Sequence, residues 1–133
     1  MIFMDKQQVR HSIATLRARL DPTEVQKYSQ NICRQIISLN VKVKSILCYI
    51  AKGKEANIAE AVQFFLQQQK IVLLPRIEGN LLIAQQIHTL EDLETGPYGI
   101  LQPKSSCMRF QPPQIELAFI PGIAFDKQGN RLG

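Results

Sequence analysis

The alternation of apolar and polar residues predicts a regular succession of helices and strands. Apolar residues recur every three or four positions between residues 5 and 20, the pattern of an amphipathic helix. Asp21, Pro22 and Glu24 then have the order of a capping box, which predicts a second helix running to about Ser38. The residues expected to be buried on these two helices are Val9, Ile13, Leu16, Leu20, Val25, Ile32, Ile36 and Leu39.

Two nearly continuous apolar runs, residues 45–51 and 71–75, predict strands that are buried on both faces. Between them Asn57 can cap a helix through Gln69 that buries Ile58, Ala61, Val62, Phe65 and Leu66. A strand, a helix and a strand in this order predict a parallel βαβ unit with a right-handed crossover.

The second half of the chain is less regular. A turn at residues 78–80 should lead into a third strand at 81–84, and residues 115–120 form another apolar strand that ends at Pro121 and Gly122. Residues 91–113 contain several prolines and glycines and predict a long, functional or mobile loop. The predicted class is α/β, with a mainly parallel sheet covered by helices.

Ligands of such sheets gather at the carboxyl ends of the strands, where three polar residues stand in this sequence. If the strands are parallel, Glu55, Arg76 and Asp126 should share one rim. Each has a simpler interpretation that remains open: a solvated loop carboxylate, a surface cation and a turn former. Lys6 and Arg10, four positions apart, fit either a binding site or a solvated basic helix face.

Composition narrows the class of protein further. The length of 133 residues suits one domain, and the net charge of +5 favours anionic partners, although the basic residues are dispersed. Three widely spaced cysteines, away from His11 and His88, favour neither disulfides nor zinc and suggest a reducing cytoplasm. Residues 1–6 have no signal-peptide pattern, and no apolar run approaches the roughly 20 residues of a membrane span.

Residues 116–133 resemble the signature of the 5-formyltetrahydrofolate cyclo-ligase (5,10-methenyltetrahydrofolate synthetase) family. An apolar strand leads into Pro-Gly, then Phe-Asp, then Gly-x-Arg-Leu-Gly at fixed spacing. Further similarities follow in order along the chain: the Lys6 and Arg10 pair, Pro75-Arg76 at a strand end, and a Tyr-Gly-Ile-x-x-Pro loop at residues 98–103. In that loop Gln102 stands where glutamate is common in the family.

The resemblance implies a three-layer α/β/α fold and an ATP-dependent conversion of 5-formyltetrahydrofolate to 5,10-methenyltetrahydrofolate, ADP and phosphate. ATP would convert the formyl oxygen to a phosphorylated imidate, and attack by N10 would then release phosphate. It also implies Mg²⁺ as a cofactor, a folate as the small-molecule partner, and neither nucleic acid nor membrane as a partner; we expect a monomer. The implied contacts are Lys6, Arg10, Arg131, Leu132 and Gly133 for ATP, Ile50, Glu55 and Arg76 for folate, and Asp126 for the metal.

The sequence departs from the family pattern at two places. Asn57 and Ile58 replace an acidic residue and a threonine, and the sequence ends at Gly133, inside the glycine-rich loop that leads in the family to a tyrosine and an aspartate. Residues 1–133 therefore correspond to a single, incomplete domain, and we expect little or no turnover from them alone. The alternative is a truncated relative that at most binds folate. A nucleic-acid module, suggested only by charge, has no supporting motif.

Overall fold

The computed structural model describes residues 4–133. Residues 1–3 lie outside the described residues. The prediction that residues 1–6 are not a signal peptide therefore falls partly on residues that the structure does not describe. Three α-helices and nine short strands occur in the described part of the chain: α1 (Lys6–Ala18), α2 (Pro22–Ser38), α3 (Ala59–Gln67), β1 (Ser45–Leu47), β2 (Ile71–Glu78), β3 (Leu81–Ile87), β4 (Leu93–Thr95), β5 (Leu101–Pro103), β6 (Arg109–Phe110), β7 (Leu117–Ala118), β8 (Ala124–Phe125) and β9 (Arg131–Leu132).

The helix starts follow the predicted capping chemistry. At the start of α2 the Asp21 side chain accepts from the Glu24 N–H at 2.8 Å, and the Glu24 carboxylate accepts from the Asp21 N–H at 2.9 Å. The third helix differs, since its N-cap is Ile58; the predicted cap, Asn57, lies one residue earlier, and its Oδ1 accepts from the Ala59 N–H at 3.0 Å. These contacts satisfy backbone donors that a helix leaves unpaired at its first turn.

Five strands form one sheet in the order β6-β3-β2-β1-β7. Strand β1 pairs in parallel with β2 on one side and with β7 on the other, so the predicted βαβ unit is confirmed. Strand β3 instead returns antiparallel to β2, because a tight turn at Gly79, with φ of 59°, joins them as a hairpin. The α/β class is confirmed, and the sheet is mixed.

The segment predicted to be irregular contains local structure. Within residues 91–113, β4 and β5 form an antiparallel hairpin and β6 joins the edge of the sheet beside β3. The prediction of an irregular loop was therefore wrong for these eight residues, because strands of two or three residues carry too little alternation to be recognised in a sequence.

Helices α2 and α3 cover one face of the sheet and enclose the core. The buried apolar residues there are Cys33, Ile36, Ile46, Cys48, Ile58, Ala61, Val62, Phe65, Val72, Leu74 and Ile87. Cys33 and Cys48 are core residues as predicted, and burial raises the pKa of the Cys48 thiol to about 12. A thiol with such a pKa stays protonated near neutral pH and is a packing group rather than a nucleophile.

The predicted faces of the first two helices need correction. Helix α1 buries no residue, and Leu16 is 58% exposed because the helix lies against the β8 region instead of the sheet. Helix α2 turns Ser29, Cys33 and Ile36 inward, whereas Ile32 and Leu39 are exposed. Ser29 is favoured on the inner face because its hydroxyl accepts from the Asn57 N–H at 2.9 Å, which joins α2 to the start of α3.

The second face of the sheet is crossed by residues 111–116, which include a short 3₁₀ helix at Pro112–Gln114. Strands β6 and β7 lie at opposite edges, and the connection between them passes over Leu47 and Pro75, leaving a groove lined also by Phe110, Pro112 and Ile115. Ser45 fixes the far end of this connection, since its hydroxyl donates to the Gln114 carbonyl at 2.7 Å.

Phe65 provides a test of this core. Its ring is buried between α3 and the sheet and stacks on Phe119 with a centroid separation of 6.0 Å. Phe65→Ala should lower the free energy of unfolding by about 3–5 kcal/mol, because it removes buried area and leaves a cavity. The measurement is urea unfolding followed by circular dichroism. Gln63→Ala, an exposed change on the same helix, should stay within about 0.5 kcal/mol of the parent.

Candidate functional site

The carboxyl ends of β1, β2 and β7 meet at one edge of the sheet. Parallel pairing continues past the short ladder, since the Cys48 N–H donates to the Leu73 carbonyl and the Phe119 N–H to the Leu47 carbonyl, each at 2.8 Å. The segments that leave β1 and β7 here are residues 49–56 and 119–126. This edge is therefore the rim that the strand order predicted.

Glu55 is held in a tight turn that begins at Lys52, in the segment that follows β1. Its Oε2 accepts from the Lys52 N–H at 2.8 Å, and its own N–H donates to the Lys52 carbonyl at 3.2 Å. Its Oε1 has no hydrogen-bond donor among residues 4–133. Burial, and then the Glu55 charge, raise the pKa of Tyr49, whose hydroxyl donates to the Ala56 carbonyl at 2.6 Å. One carboxylate oxygen of Glu55 is thus fixed and the other is available.

Glu55 lines a cleft of about 300 Å³ between α2 and the end of β7, which we call the Glu55 cleft. Its walls are largely apolar and include Phe119, Ile120, Pro121 and Phe125, and Arg17 from α1 reaches it as well. An apolar cleft with a few convergent charged groups is typical of a small-molecule site. A planar, heteroaromatic ligand that offers N–H donors would suit the free Glu55 oxygen.

The residues after β7 fold back on themselves as the β8–β9 hairpin. Arg131 closes it, since its Nη1 donates to the Pro121 carbonyl at 2.9 Å and also to the Gly133 carbonyl. Gly122 is closely approached at the base, because a Cβ there would lie 2.6 Å from Cζ of Phe125 and 2.9 Å from Cγ of Arg131 and would displace these side chains. The signature residues in this segment therefore depend on one another structurally.

A second cleft of about 300 Å³ lies between this hairpin and α1, and we call it the Lys6 cleft. Lys6 and Val9 line it from the helix, and Asp126, Arg131 and Leu132 line it from the hairpin. The other lining residues are Ala124, Phe125 and Asn130. Phe125 therefore lines both clefts, so that they meet at this side chain.

Asp126 stabilises the hairpin turn. Its Oδ1 accepts from the N–H groups of Gln128 at 2.9 Å and Asn130 at 2.8 Å, and its Oδ2 accepts from the Asn130 side chain at 2.7 Å. These bonds, the Asn130 side chain first, lower the pKa of Asp126. The described residues contain no group of three His, Cys, Asp or Glu side chains that could hold a metal ion.

Arg76 points into the β4–β5 hairpin. Its Nη1 donates to Glu94 Oε1 at 2.6 Å and to the Pro103 carbonyl at 2.8 Å, and its Nε lies 3.4 Å from Glu78 Oε1. The hydrogen bond to Glu94 and the negative charges of Glu94 and Glu78 raise the pKa of Arg76. Arg76 lines neither the Glu55 cleft nor the Lys6 cleft.

The remaining predicted residues lie near these clefts without lining them. Ile50 is half-buried against the core, Arg10 is exposed on α1, and Gly133 follows β9 with a φ of 96°. Sequence reasoning missed Lys54, whose Nζ donates to the carbonyls of Ala18 at 2.6 Å and Leu20 at 2.5 Å. This lysine caps the end of α1 and joins that helix to the Glu55 turn.

Sequence reasoning also gave Tyr98 no partner. Tyr98 is 86% exposed, and its ring lies under Lys52, with Nζ 5.7 Å from the ring centroid. Lys52 belongs to the turn that holds Glu55, so the loop of residues 96–100 approaches the rim. Lys52 and Tyr98 are far apart in the sequence, so their contact is visible only in the three-dimensional structure.

No helix in residues 4–133 combines the length and the apolar character that a bilayer crossing requires.

The fold and its paired clefts describe an α/β protein with two adjoining clefts at the carboxyl edge of its sheet. Comparison with known proteins specifies the family: the model of the 5-formyltetrahydrofolate cyclo-ligase family matches residues 3–133, and the chain belongs to that family.

Several relatives are similar over nearly the whole chain. It is 27% identical to 5-formyltetrahydrofolate cyclo-ligase of Haemophilus influenzae, covering 96% of this chain and 72% of the relative. It is 24% identical to the probable 5-formyltetrahydrofolate cyclo-ligase of Schizosaccharomyces pombe, covering 98% and 67%. The NMR structure of Aquifex aeolicus 5,10-methenyltetrahydrofolate synthetase matches with a TM-score of 0.87 at 28% identity, over 98% of this chain and 67% of that one.

The lowered pKa of Asp126 gives a test of the hairpin geometry. Because the native carboxylate is stabilised, its contribution is present above the unfolded pKa and is lost as pH falls through the lower native value. The Asp126 carboxyl should therefore titrate below the ordinary 3.8 when followed by carbon NMR. Asn130→Ala should shift the titration upward, since it removes the largest cause. An unshifted parent titration would contradict the observed hydrogen bonds.

Proposed function

We propose that this chain serves the ATP-dependent conversion of 5-formyltetrahydrofolate to 5,10-methenyltetrahydrofolate, ADP and phosphate. The observation that carries the proposal is the junction of two clefts at Phe125, one containing Glu55 and the other Lys6 and Arg131. The reaction needs this arrangement, because the terminal phosphate of ATP must reach the formyl oxygen of the folate. Phosphoryl transfer depends mostly on positioning and on charge neutralisation.

The folate would occupy the Glu55 cleft. The pterin ring carries N–H donors, and the Glu55 oxygen that the Lys52 N–H leaves free is an acceptor for them. The flat apolar walls formed by Phe119, Pro121 and Phe125 suit the ring itself. Ile50 and Arg76 belong to the same rim in this proposal, Ile50 as apolar support and Arg76 through the neighbouring hairpin.

The ATP phosphates would lie in the Lys6 cleft. Lys6 supplies an exposed cation, and Arg131 and Leu132 form the opposite wall. Arg10 and Gly133 would extend the site along α1 and the hairpin. Lysine and arginine are the common partners of phosphate oxygens. Orientation of the phosphates by these groups would set the terminal phosphorus in line with the formyl oxygen at the Phe125 junction.

Magnesium fits these residues only as an ion carried by the nucleotide. Mg²⁺ is usually bound through one or two carboxylates together with substrate phosphates, and Asp126 is the carboxylate that lines the Lys6 cleft. Both Asp126 oxygens already accept hydrogen bonds from the turn, which favours an indirect contact through water. When bound, the ion would neutralise phosphate charge.

The charge and the cysteine content of the chain support proposals on its substrate, oligomeric state and compartment. The substrate is a small anionic folate, which the net charge of +5 favours. We propose a monomer in a reducing cytoplasm, with three free thiols and with neither nucleic acid nor membrane as a partner.

Glu55→Gln tests the folate assignment. Glutamine keeps an oxygen for the Lys52 N–H but removes the charge, so the dissociation constant for 5-formyltetrahydrofolate should rise about tenfold or more in calorimetry. Glu60→Gln, an exposed change on α3, is the matched control and should bind like the parent.

Formation of 5,10-methenyltetrahydrofolate with Mg-ATP, followed by its absorbance, separates the two hypotheses. Turnover that Glu55→Gln abolishes supports the enzyme. Folate binding without any turnover supports the alternative, a relative that only binds folate. Equal affinity in the parent and in Glu55→Gln contradicts the assignment of Glu55.

A further inference from the structure

The β4–β5 hairpin carries an exposed aromatic side chain to the rim. Its loop is closed by a hydrogen bond from the Gly96 N–H to the Ile100 carbonyl at 2.8 Å. Tyr98 at the tip has a φ of 61°, a conformation that non-glycine residues rarely adopt and that surrounding contacts must maintain. Its ring lies beneath Lys52, in the turn that fixes Glu55.

One side chain of the sheet holds both strands of this hairpin. Nη1 of Arg76 donates to Glu94 on β4 and to the Pro103 carbonyl on β5. The Arg76 side chain is only 16% exposed, so these contacts are partly shielded from water. A single guanidinium thus joins β2 to both strands, which a lysine with its compact charge does less well.

A second contact lies directly beside the first. The Ile77 N–H donates to Oε1 of Gln102 at 3.2 Å, and Gln102 is buried. The Gln102 side chain also packs under the loop, because a Cβ on Gly96 would lie 2.4 Å from its Cδ atom. The base of the loop is therefore fixed to two consecutive residues of β2.

We infer that Arg76, together with Glu94 and Gln102, is a positioning group that sets Tyr98 against the folate site and does not itself touch folate. The inference rests on the proposed function for the identity of the ligand. It explains why Arg76, which lies within β2 and was predicted at its end, lines neither cleft. Its effect on folate binding should pass entirely through the loop of residues 96–100.

Hydrogen exchange, measured without any ligand, tests whether the contacts of Arg76 to Glu94 and Pro103 hold the hairpin; we call these contacts the Arg76 clamp. Arg76→Gln should speed amide exchange in residues 93–103 about threefold or more, because the hairpin loses its bridge to β2. Exchange in α2 and α3 should not change. The matched control is Arg109→Gln, which breaks an ion pair to Glu78 at 2.7 Å but no contact to the hairpin. Unchanged exchange in Arg76→Gln overturns the inference.

A double-mutant cycle tests whether Arg76 acts through Tyr98. Dissociation constants for 5-formyltetrahydrofolate are measured for the parent, Arg76→Gln, Tyr98→Ala and the double variant. The inference predicts that each single change weakens binding and that the double variant binds no more weakly than Tyr98→Ala. Losses that multiply would mean that Arg76 contacts the ligand, which overturns it.

Hydrogen exchange and folate binding together distinguish a failure of the positioning role of Arg76 from a failure of the proposed function. A parent that binds no folate removes the proposed function, and the exchange measurement alone then decides whether the clamp exists. If the parent binds folate and amide exchange is unchanged in Arg76→Gln, the positioning role of Arg76 is wrong and the proposed function is unaffected.

Discussion

Parallel hydrogen bonding of β1 to a neighbour on each side is the constraint on which the rest of the structure depends. Ile46 at its centre is fully buried, so its backbone groups must find their partners in β2 and β7. Because all three strands run the same way, the segments that leave β1 and β7 begin at one edge. The Glu55 turn and the β8–β9 hairpin are neighbours for this reason, although about 70 residues separate them in the sequence.

Some charged side chains at the rim hold the backbone in place, and others are free of such contacts. The Glu55 turn is tied to α1 through Lys54, and the β8–β9 hairpin is closed by Arg131 and Asp126. Most charged groups there already hold backbone in place, and the free Glu55 oxygen and Lys6 remain for ligands. Because the backbone is already held in place, the binding groups lose less conformational entropy when a ligand binds. Phe125, at the junction of both clefts, is the point at which two bound ligands would meet.

Much of the fold could be predicted from the sequence because its signals are local. A capping box located α2, apolar periodicity located α1, and apolar runs located β1 and β2. The inward face of α2 could not be predicted, since Ser29 is selected over Ile32 by a hydrogen bond to a residue far along the chain. The hairpin of β4 and β5 was missed because it is stabilised by residues of β2: Arg76 donates to the Pro103 carbonyl, and the Ile77 N–H donates to Gln102. Arg76 was predicted at a strand end but lies within β2, and its partners, such as Glu94, required the three-dimensional structure.

The central claim is that the two clefts at the rim hold a folate and a nucleotide side by side. The most direct test is amide NMR of the labelled chain, titrated separately with 5-formyltetrahydrofolate and with Mg-ATP. The account predicts that folate shifts the signals of residues 49–56, that ATP shifts those of residues 6–10 and 130–132, and that Phe125 responds to both. Folate shifts confined to the groove around Leu47 and Pro75, on the second face of the sheet, would contradict it.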